Sequence, residues 1–175
     1  LPGAALLAFR PHADSRGWFS RAYCRAQLKA LGFDLDVVQA NVSRSERRGT
    51  LRGLHYQLPP SAEAKLVRCL AGAIYDVVLD LRPHLPTFGR WFATRLDAHN
   101  AHAVLVPPGC AHGFLTLSEG VVVLYFVSKA YDPARERGIR YDDPFFAIRW
   151  PFPPILVSER DRSHPDFDPA YHLAA

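Results

Sequence analysis

Apolar and polar residues alternate over short segments up to about residue 127, with the period of two that is typical of β-strands. Turn sequences rich in Gly and Pro, such as PPG at 107–109, separate these segments. The pattern predicts strands at 5–9, 18–23, 37–42, 51–57, 65–70, 74–81, 91–96, 103–106, 113–117 and 121–127. Many short strands at close spacing indicate a β-sandwich or β-barrel.

Helical periodicity is weak and is confined to residues 25–31, where Gly32 provides a stop signal. Strands do not alternate with long helices, so a parallel α/β sheet is not expected. After Tyr131 the chain becomes rich in Pro, Asp and Arg, which indicates an extended tail wrapped over the barrel. Because no linker or low-complexity segment interrupts the pattern, we expect a single domain over residues 1–175.

The composition is that of a globular protein, with 49% hydrophobic and 22% charged residues. No apolar run is long enough to cross a bilayer and no signal-peptide pattern is present, so we expect a cytoplasmic protein without a membrane partner. The three cysteines lack C-x-x-C spacing, which favours reduced thiols over disulfides or a zinc site. The net charge of +4 is compatible with a small anionic ligand. Aromatics interleaved with a basic stripe are missing, which disfavours nucleic acid.

Two carboxylates lie on an otherwise apolar strand face. In the strand predicted at 74–81, Asp76 and Asp80 share one face with aliphatic residues. A buried carboxylate requires a hydrogen-bond donor, and His112 is the candidate donor. Tyr125 lies on an apolar strand face in the same way, which by itself is more typical of a core tyrosine than of a catalytic one.

The segment at 49–69 concentrates polar side chains beside two strands and predicts the mouth of a pocket. These side chains are Arg52, His55, Gln57, Glu63 and Lys65. Histidine is the natural proton carrier near neutral pH because its unperturbed pKa is roughly 6.5. His55 is therefore a candidate general base, although a lone histidine is as often structural.

Ordered motifs along nearly the whole chain resemble the dTDP-4-dehydrorhamnose 3,5-epimerase family. They read ADSRGWF, QANVS, LRGLHYQLPPSAEAKLVRCLAGAIYDVVLDLR, PTFGRW, PPGCAHGF, VLYFVSKAYDP and SERD. The resemblance implies an all-β, cupin-like double-stranded β-helix (a jelly-roll barrel) with a short helix and an extended C-terminal tail. It also implies a homodimer that exchanges an N-terminal strand, and a reaction that needs neither metal nor cofactor.

The resemblance implies roles for four catalytic residues. His55 in RGLHYQ corresponds to the base that removes the proton, and Asp161 in SERD corresponds to the carboxylate that orients it. Lys65 corresponds to the lysine that stabilises the enolate. Tyr125 corresponds to the acid on the opposite face of the sugar, and its neutral phenol suits proton donation.

Substrate contacts also follow from the resemblance. They are Arg16, Phe19, Gln39, Asn41, Arg52, Asp76, His112 and Tyr131. With strand exchange, Arg16 and Phe19 would serve the neighbouring subunit's site. One position departs from the family pattern: Arg21 stands where the first motif usually carries an acidic residue, which affects the choice of substrate more than the reaction.

The resemblance predicts epimerisation of a nucleoside diphosphate 4-keto-6-deoxy sugar, with dTDP-4-keto-6-deoxyglucose inverted at C3 and C5 as the leading case. Inversion at a single centre on a related nucleotide sugar is the alternative. A metal-dependent cupin would use His55, Gln57, Glu63 and His112, but a carboxamide in place of a second histidine makes a poor ligand set. A non-catalytic module that binds nucleotide sugars would be expected to lack some of the catalytic residues, and all four are present.

Overall fold

The computed structural model describes residues 1–174 and consists mainly of β-structure. The strands are β1 (Ala5–Ala8), β2 (His12–Asp14), β3 (Gly17–Phe19), β4 (Gln39–Ser45), β5 (Thr50–Gln57), β6 (Lys65–Ala71), β7 (Ala73–Asp80), β8 (Trp91–Asp97), β9 (His102–Val106), β10 (Cys110–Thr116), β11 (Val121–Val127), β12 (Glu136–Gly138) and β13 (Leu156–Val157). The helices are α1 (Arg25–Ala30), α2 (Glu159–Arg162) and α3 (Pro169–His172).

Two antiparallel sheets form the barrel. The five-stranded sheet has the order β1-β9-β6-β11-β4, and the second sheet has the order β12-β5-β10-β7-β8. Strand β13 joins the second sheet through a parallel pairing with β5. Strands β2 and β3 form a separate hairpin. The predicted all-β, cupin-like architecture is confirmed.

The space between the sheets is packed at one end of the barrel. Aliphatic side chains from β6, β9 and β11 meet side chains from β7, β8 and β10, among them Val67, Val104, Ile74 and Leu96. These residues point inward because side chains alternate between the faces of a strand. Tyr125 packs against the edge of this cluster. Beyond it the interior opens into a cavity.

The C-terminal tail covers the outer face of the second sheet. Leu54 and other buried residues of this sheet pack against Ile139, Phe146, Trp150 and Phe167 of the tail. Burial of such large apolar side chains typically stabilises the fold by about 1.5 to 3 kcal/mol each. The tail is therefore an integral part of the structure, and it brings residues near 160 to the rim of the barrel.

The predicted strands correspond to strands of the structure, with shifts at several ends, and the predicted helix is present. One expectation needs correction. Of the predicted segment 18–23, only Trp18 and Phe19 belong to a strand, the short β3, which pairs with β2. The tail over the barrel carries four short elements, β12, β13, α2 and α3. Elements of two to four residues are too short to show a periodic pattern. Strands β12 and β13 form because they pair with β5, and α2 forms with the Ser158 side chain as its N-terminal cap.

The three cysteines, Cys24, Cys69 and Cys110, are free thiols. Burial raises the pKa of Cys69 to about 11 and that of Cys110 to about 12. These two thiols remain protonated near neutral pH and are unsuited to act as nucleophiles. Within residues 1–174, no helix combines the length and the apolar character needed to cross a membrane.

Candidate active site

A cavity of about 760 Å³ lies between the two sheets at the open end of the barrel. Side chains from both sheets and from the tail line it. They include Gln39, Asn41, Ser43, Arg52, His55, Gln57, Glu63, Lys65, His112, Phe114, Tyr125, Tyr131, Glu136, Arg160 and Asp161. The cavity is large enough for a small-molecule ligand. Most of the predicted site residues therefore meet in one place.

His55 on β5 and Asp161 on α2 form a hydrogen-bonded pair, with 2.7 Å between Nε2 and Oδ1. The His55 side chain is 33% exposed, whereas that of Asp161 is 6% exposed. The Gly53 amide also donates to Asp161, at 3.2 Å from Oδ2. Ser158 begins α2 by accepting a hydrogen bond from the Asp161 amide, which fixes the position of the carboxylate.

This arrangement sets the protonation of the pair. Burial by itself would raise the pKa of the Asp161 carboxyl, but hydrogen bonds from His55 and Gly53 outweigh burial and hold that pKa below its usual value. Asp161 is therefore a carboxylate near neutral pH and accepts the proton on His55 Nε2. The other ring nitrogen, Nδ1, keeps its lone pair and can accept a proton.

Lys65 on β6 is almost fully buried beside the pair. Its Nζ donates to the backbone carbonyl of His55 at 3.0 Å and forms an ion pair with Glu63 Oε1 at 2.9 Å. Gln57 donates a hydrogen bond to Glu63 Oε2 and holds that carboxylate in place. The ammonium group is thus fixed at the cavity wall, where it can stabilise negative charge on a ligand.

A second histidine–aspartate pair lies on the neighbouring strands. His112 Nε2 on β10 is 2.7 Å from Asp76 Oδ2 on β7, and the Asp76 side chain is fully buried. The expected contact between His112 and a buried aspartate is therefore present. Asp76 itself was predicted to contact the substrate, but it lies behind His112 and does not line the cavity. Asp80, on the same face of β7, accepts hydrogen bonds from Arg82 and Thr87 and does not line the cavity either.

Tyr125 lines the cavity from the opposite sheet. It lies on β11 of the five-stranded sheet, whereas His55 and His112 lie on β5 and β10 of the other sheet. A ligand between the sheets would therefore have His55 on one side and Tyr125 on the other. Burial raises the pKa of the Tyr125 phenol, so it is a neutral hydrogen-bond donor near pH 7.

The strand β4 supplies a polar wall of the cavity. Gln39 Nε2 donates to Asn41 Oδ1 at 2.8 Å. Ser43 faces the same space, and its Oγ is buried without a hydrogen-bond partner within residues 1–174. Arg52 donates to Ser45 Oγ at 3.0 Å, which places its guanidinium cation along this wall. These groups suit a polar, anionic ligand.

The structure does not bring Arg16 and Phe19 into the cavity of their own chain. Arg16 is exposed on the β2–β3 hairpin and pairs with Asp14 at 2.6 Å. Phe19 is 67% exposed and Trp18 is 61% exposed. Arg21 lines a separate apolar groove together with Phe19. In a single chain, the first motif therefore lies outside the site.

Residues of the tail that the sequence interpretation missed complete the cavity mouth. Glu136 accepts hydrogen bonds from Tyr131, at 2.6 Å, and from Arg160. Burial would raise the pKa of Glu136, but these two donors outweigh burial and lower it. His164 does not line the cavity and packs edge-on against His55, with 6.3 Å between the ring centroids. Glu136 and His164 lie in a segment without periodicity, so no pattern distinguished them from other polar residues of the tail.

The chain is similar to known proteins in both sequence and structure. A family model described as dTDP-4-dehydrorhamnose 3,5-epimerase matches residues 1–169. The dTDP-4-dehydrorhamnose 3,5-epimerase of Sinorhizobium fredii (strain NBRC 101917 / NGR234) is 41% identical over 161 residues, which cover 91% of this chain and 83% of the relative. The crystal structure of a dTDP-4-dehydrorhamnose 3,5-epimerase from Bacillus anthracis strain Ames, with TDP and PPi bound, has a TM-score of 0.91 at 42% identity and 94% coverage of each chain. The structure of a 3'-monoepimerase from Streptomyces bikiniensis in complex with dTDP-quinovose has a TM-score of 0.85 at 38% identity, covering 94% of this chain and 83% of that chain.

Proposed function

This chain belongs to the dTDP-4-dehydrorhamnose 3,5-epimerase family, and we propose that its substrate is a nucleoside diphosphate 4-keto-6-deoxyhexose. The leading substrate is dTDP-4-keto-6-deoxyglucose, inverted at both C3 and C5. The family match over residues 1–169 supports one epimerase domain for the whole chain. A cytoplasmic location fits the three free thiols.

The observation that carries this proposal is the placement of His55 and Tyr125 on opposite sheets of one cavity. C3 and C5 both neighbour the C4 ketone, so removal of either proton leaves an enolate with negative charge on the ketone oxygen. His55 removes the proton, and Asp161 stabilises the imidazolium that results. Tyr125 returns a proton to the other face of the carbon, which inverts the centre.

Lys65 has a separate role in the proposed reaction. Its buried ammonium stabilises the enolate oxygen, and a preorganised donor of this kind typically contributes about 3 kcal/mol. His112, held by Asp76, lies on the same sheet as His55 and binds the sugar beside it. Because one proton leaves and one returns at each carbon, the reaction needs no cofactor.

We propose that the nucleotide lies along β4 and that a second copy of the chain completes its binding site. Strand β4 is an edge strand, and its Val42 is 65% exposed. The hairpin that carries Arg16 and Phe19 is exposed in the single chain. Exchange of this N-terminal segment in a homodimer would cover the edge of β4 and would bring Arg16 to the partner's phosphates.

A single-centre epimerase is the second candidate. The similarity to a 3'-monoepimerase, at 38% identity, favours it. The separate position of Arg21, outside the cavity of its own chain, leaves the proton-transfer residues in place for either outcome. Inversion at one carbon or at both depends on how the sugar turns between Tyr125 and His55.

Deuterium exchange tests the proposal. EDTA-treated protein is incubated with dTDP-4-keto-6-deoxyglucose in D₂O, and deuterium at C3 and C5 is followed by NMR. The control is His84→Asn, a variant of an exposed histidine. Exchange at both carbons supports the 3,5-epimerase if His55→Asn loses it and His84→Asn keeps it. Exchange at one carbon supports the single-centre enzyme. No exchange with the wild-type protein would reject this substrate.

A further inference from the structure

His164 lies behind the proposed catalytic pair and has no role in the reaction outlined above. Its Nε2 is buried and has no hydrogen-bond partner within residues 1–174. An unpaired buried ring nitrogen is costly, since polar groups removed from water usually find a partner. Arg140 donates to the His164 carbonyl oxygen at 3.3 Å, which fixes the backbone at this position.

Gly138 provides the space for this ring. The Cα of Gly138 on β12 pairs with that of His55 in the sheet register. A Cβ atom at position 138 would overlap the imidazole ring of His164. The absence of a side chain at Gly138 therefore lets His164 approach the pair from the side of the tail.

The ligand atoms of three residues converge here. One ring nitrogen each of His55 and His164 and one carboxylate oxygen of Asp161 all lie within 4.8 Å of one another. Neighbouring ligands of a tetrahedral zinc ion are about 3.3 Å apart, given bond lengths of about 2.0 to 2.2 Å. Small rotations of the three side chains would therefore create the spacing that zinc needs. Two imidazoles and a carboxylate are a ligand set typical of zinc.

We propose that His55, Asp161 and His164 form an inhibitory binding site for Zn²⁺. This ligand set shares only His55 with the one considered for a metal-dependent cupin. Two ligands of that other set are already paired, because Glu63 forms an ion pair with Lys65 and His112 is hydrogen-bonded to Asp76. The ion enters from the cavity, where the His55 side chain is a third exposed. The fourth ligand is water, as in other zinc sites with three protein ligands.

Occupation of the site stops the reaction because the metal takes the place of the proton that Asp161 holds on His55 Nε2. The metal-bound imidazole already carries a cation on one nitrogen, so a proton on the other nitrogen becomes unfavourable. His55 then cannot act as a base. This consequence rests on the proposed function, whereas binding of the ion does not.

Binding is tested directly with Co²⁺, which substitutes for zinc and absorbs visible light when bound in a tetrahedral site. EDTA-stripped wild-type protein, His164→Asn, Gly138→Ala and the control His84→Asn are titrated with Co²⁺, and Zn²⁺ is then added as competitor. We expect His164→Asn to weaken binding at least about tenfold, since even the loss of an outer-shell partner of a metal ligand costs 10- to 100-fold. Gly138→Ala should weaken it as well while His164 is still present, because the ring is displaced. His84→Asn should bind as the wild type does.

Inhibition is measured as the Zn²⁺ dependence of deuterium exchange, relative to the metal-free rate of each variant. We expect the wild type and His84→Asn to be inhibited, and His164→Asn to need at least about tenfold more Zn²⁺. Absence of Co²⁺ binding by the wild type, or equal binding by His164→Asn, would overturn the site. Binding without inhibition would overturn the inhibitory role. If EDTA-treated wild-type protein shows no exchange, the proposed function fails, and the Co²⁺ titration still decides the metal site.

Discussion

His55 and His112 lie directly opposite each other on the antiparallel strands β5 and β10, and each has a carboxylate oxygen 2.7 Å from its Nε2. The two pairs look alike but differ in their surroundings. Asp161 also accepts a hydrogen bond from the Gly53 amide. Asp76 bonds only His112, and its other oxygen has no hydrogen-bond partner within residues 1–174. The pairs should therefore respond differently to loss of the histidine.

We predict that His55→Leu mainly lowers activity and that His112→Leu mainly lowers stability. Loss of His55, the proposed general base, should reduce deuterium exchange by roughly 10²- to 10⁴-fold. Loss of His112 leaves the fully buried Asp76 unpaired, which should lower the free energy of unfolding by about 3 kcal/mol. Urea denaturation and the exchange assay measure the two effects. Equal stability loss in both variants would contradict this distinction.

Tyr125→Phe should separate exchange from inversion. The variant removes the proposed acid but leaves His55, Asp161 and Lys65 in place, so His55 can still remove a proton and return a deuteron to the same face. We expect deuterium to enter the substrate at a substantial rate while formation of the inverted sugar falls by roughly 10²-fold or more. NMR follows both processes in one sample. Parallel loss of exchange and inversion would show that Tyr125 is not a separate acid.

Mixing of subunits should reveal whether Arg16 acts on the partner's site. We expect Arg16→Ala and His55→Asn each to be weakly active alone. In a mixed dimer, the barrel of the Arg16→Ala chain has His55 and receives Arg16 from its partner. Co-refolded mixtures should therefore exceed the sum of the separate rates. A rate equal to the sum of the two separate rates would indicate that Arg16 serves the site of its own chain or no site.

The proposed dimer is checked by analytical ultracentrifugation of the wild-type protein and of Trp18→Asp. Trp18 is 61% exposed in the single chain, and exchange of the hairpin would bury it. A charge at this position should shift the protein towards monomer. A wild-type protein that sediments as a monomer would reject strand exchange.

Asp80→Asn should lower stability without changing the site. Burial would raise the pKa of Asp80, but hydrogen bonds from Arg82 and Thr87 outweigh burial and lower it. The carboxylate therefore stabilises the fold above its unfolded pKa of about 4, and this contribution is lost as the pH falls through the lower folded-state pKa. We expect a loss of about 3 kcal/mol at pH 7 that shrinks in acid.

Urea denaturation between pH 7 and pH 3 measures this dependence. The control is Asp142→Asn, because Asp142 pairs with Arg140 at an exposed position and should contribute at most about 1 kcal/mol. A destabilisation of Asp80→Asn that does not depend on pH would contradict the assignment of the ionised carboxylate as the stabilising form.

The strands of the barrel could be read from the sequence because each one has an apolar face that repeats every second residue. The boundaries of β11 agree with the predicted segment, and those of β5 differ by one residue. The tail could not be read in this way. Strands β12 and β13 are three and two residues long, and they form only because β5 offers them free backbone groups.

The candidate site likewise has features that alternation along a strand predicts and features that it does not. Alternation on β7 places Asp76 and Asp80 on one face, and this pattern by itself treats the two carboxylates alike. Strand pairing separates them, because Asp76 lies beside His112, which lines the cavity, while Asp80 lies beside Arg82 and Thr87. Periodicity determines the face of a residue, and only the register with neighbouring strands determines its partner.

The sequence by itself determined the all-β architecture and, through its motifs, the family and its candidate catalytic residues. Only the tertiary structure showed how the chain brings His55 and Asp161, 106 positions apart, to a distance of 2.7 Å, that Glu136 and Arg160 line the cavity, and that Arg16 lies outside the cavity of its own chain. The physical reason is the range of the interactions. Strand patterns arise from neighbours along the chain, whereas the site forms where the tail folds back over the barrel and buries its apolar side chains.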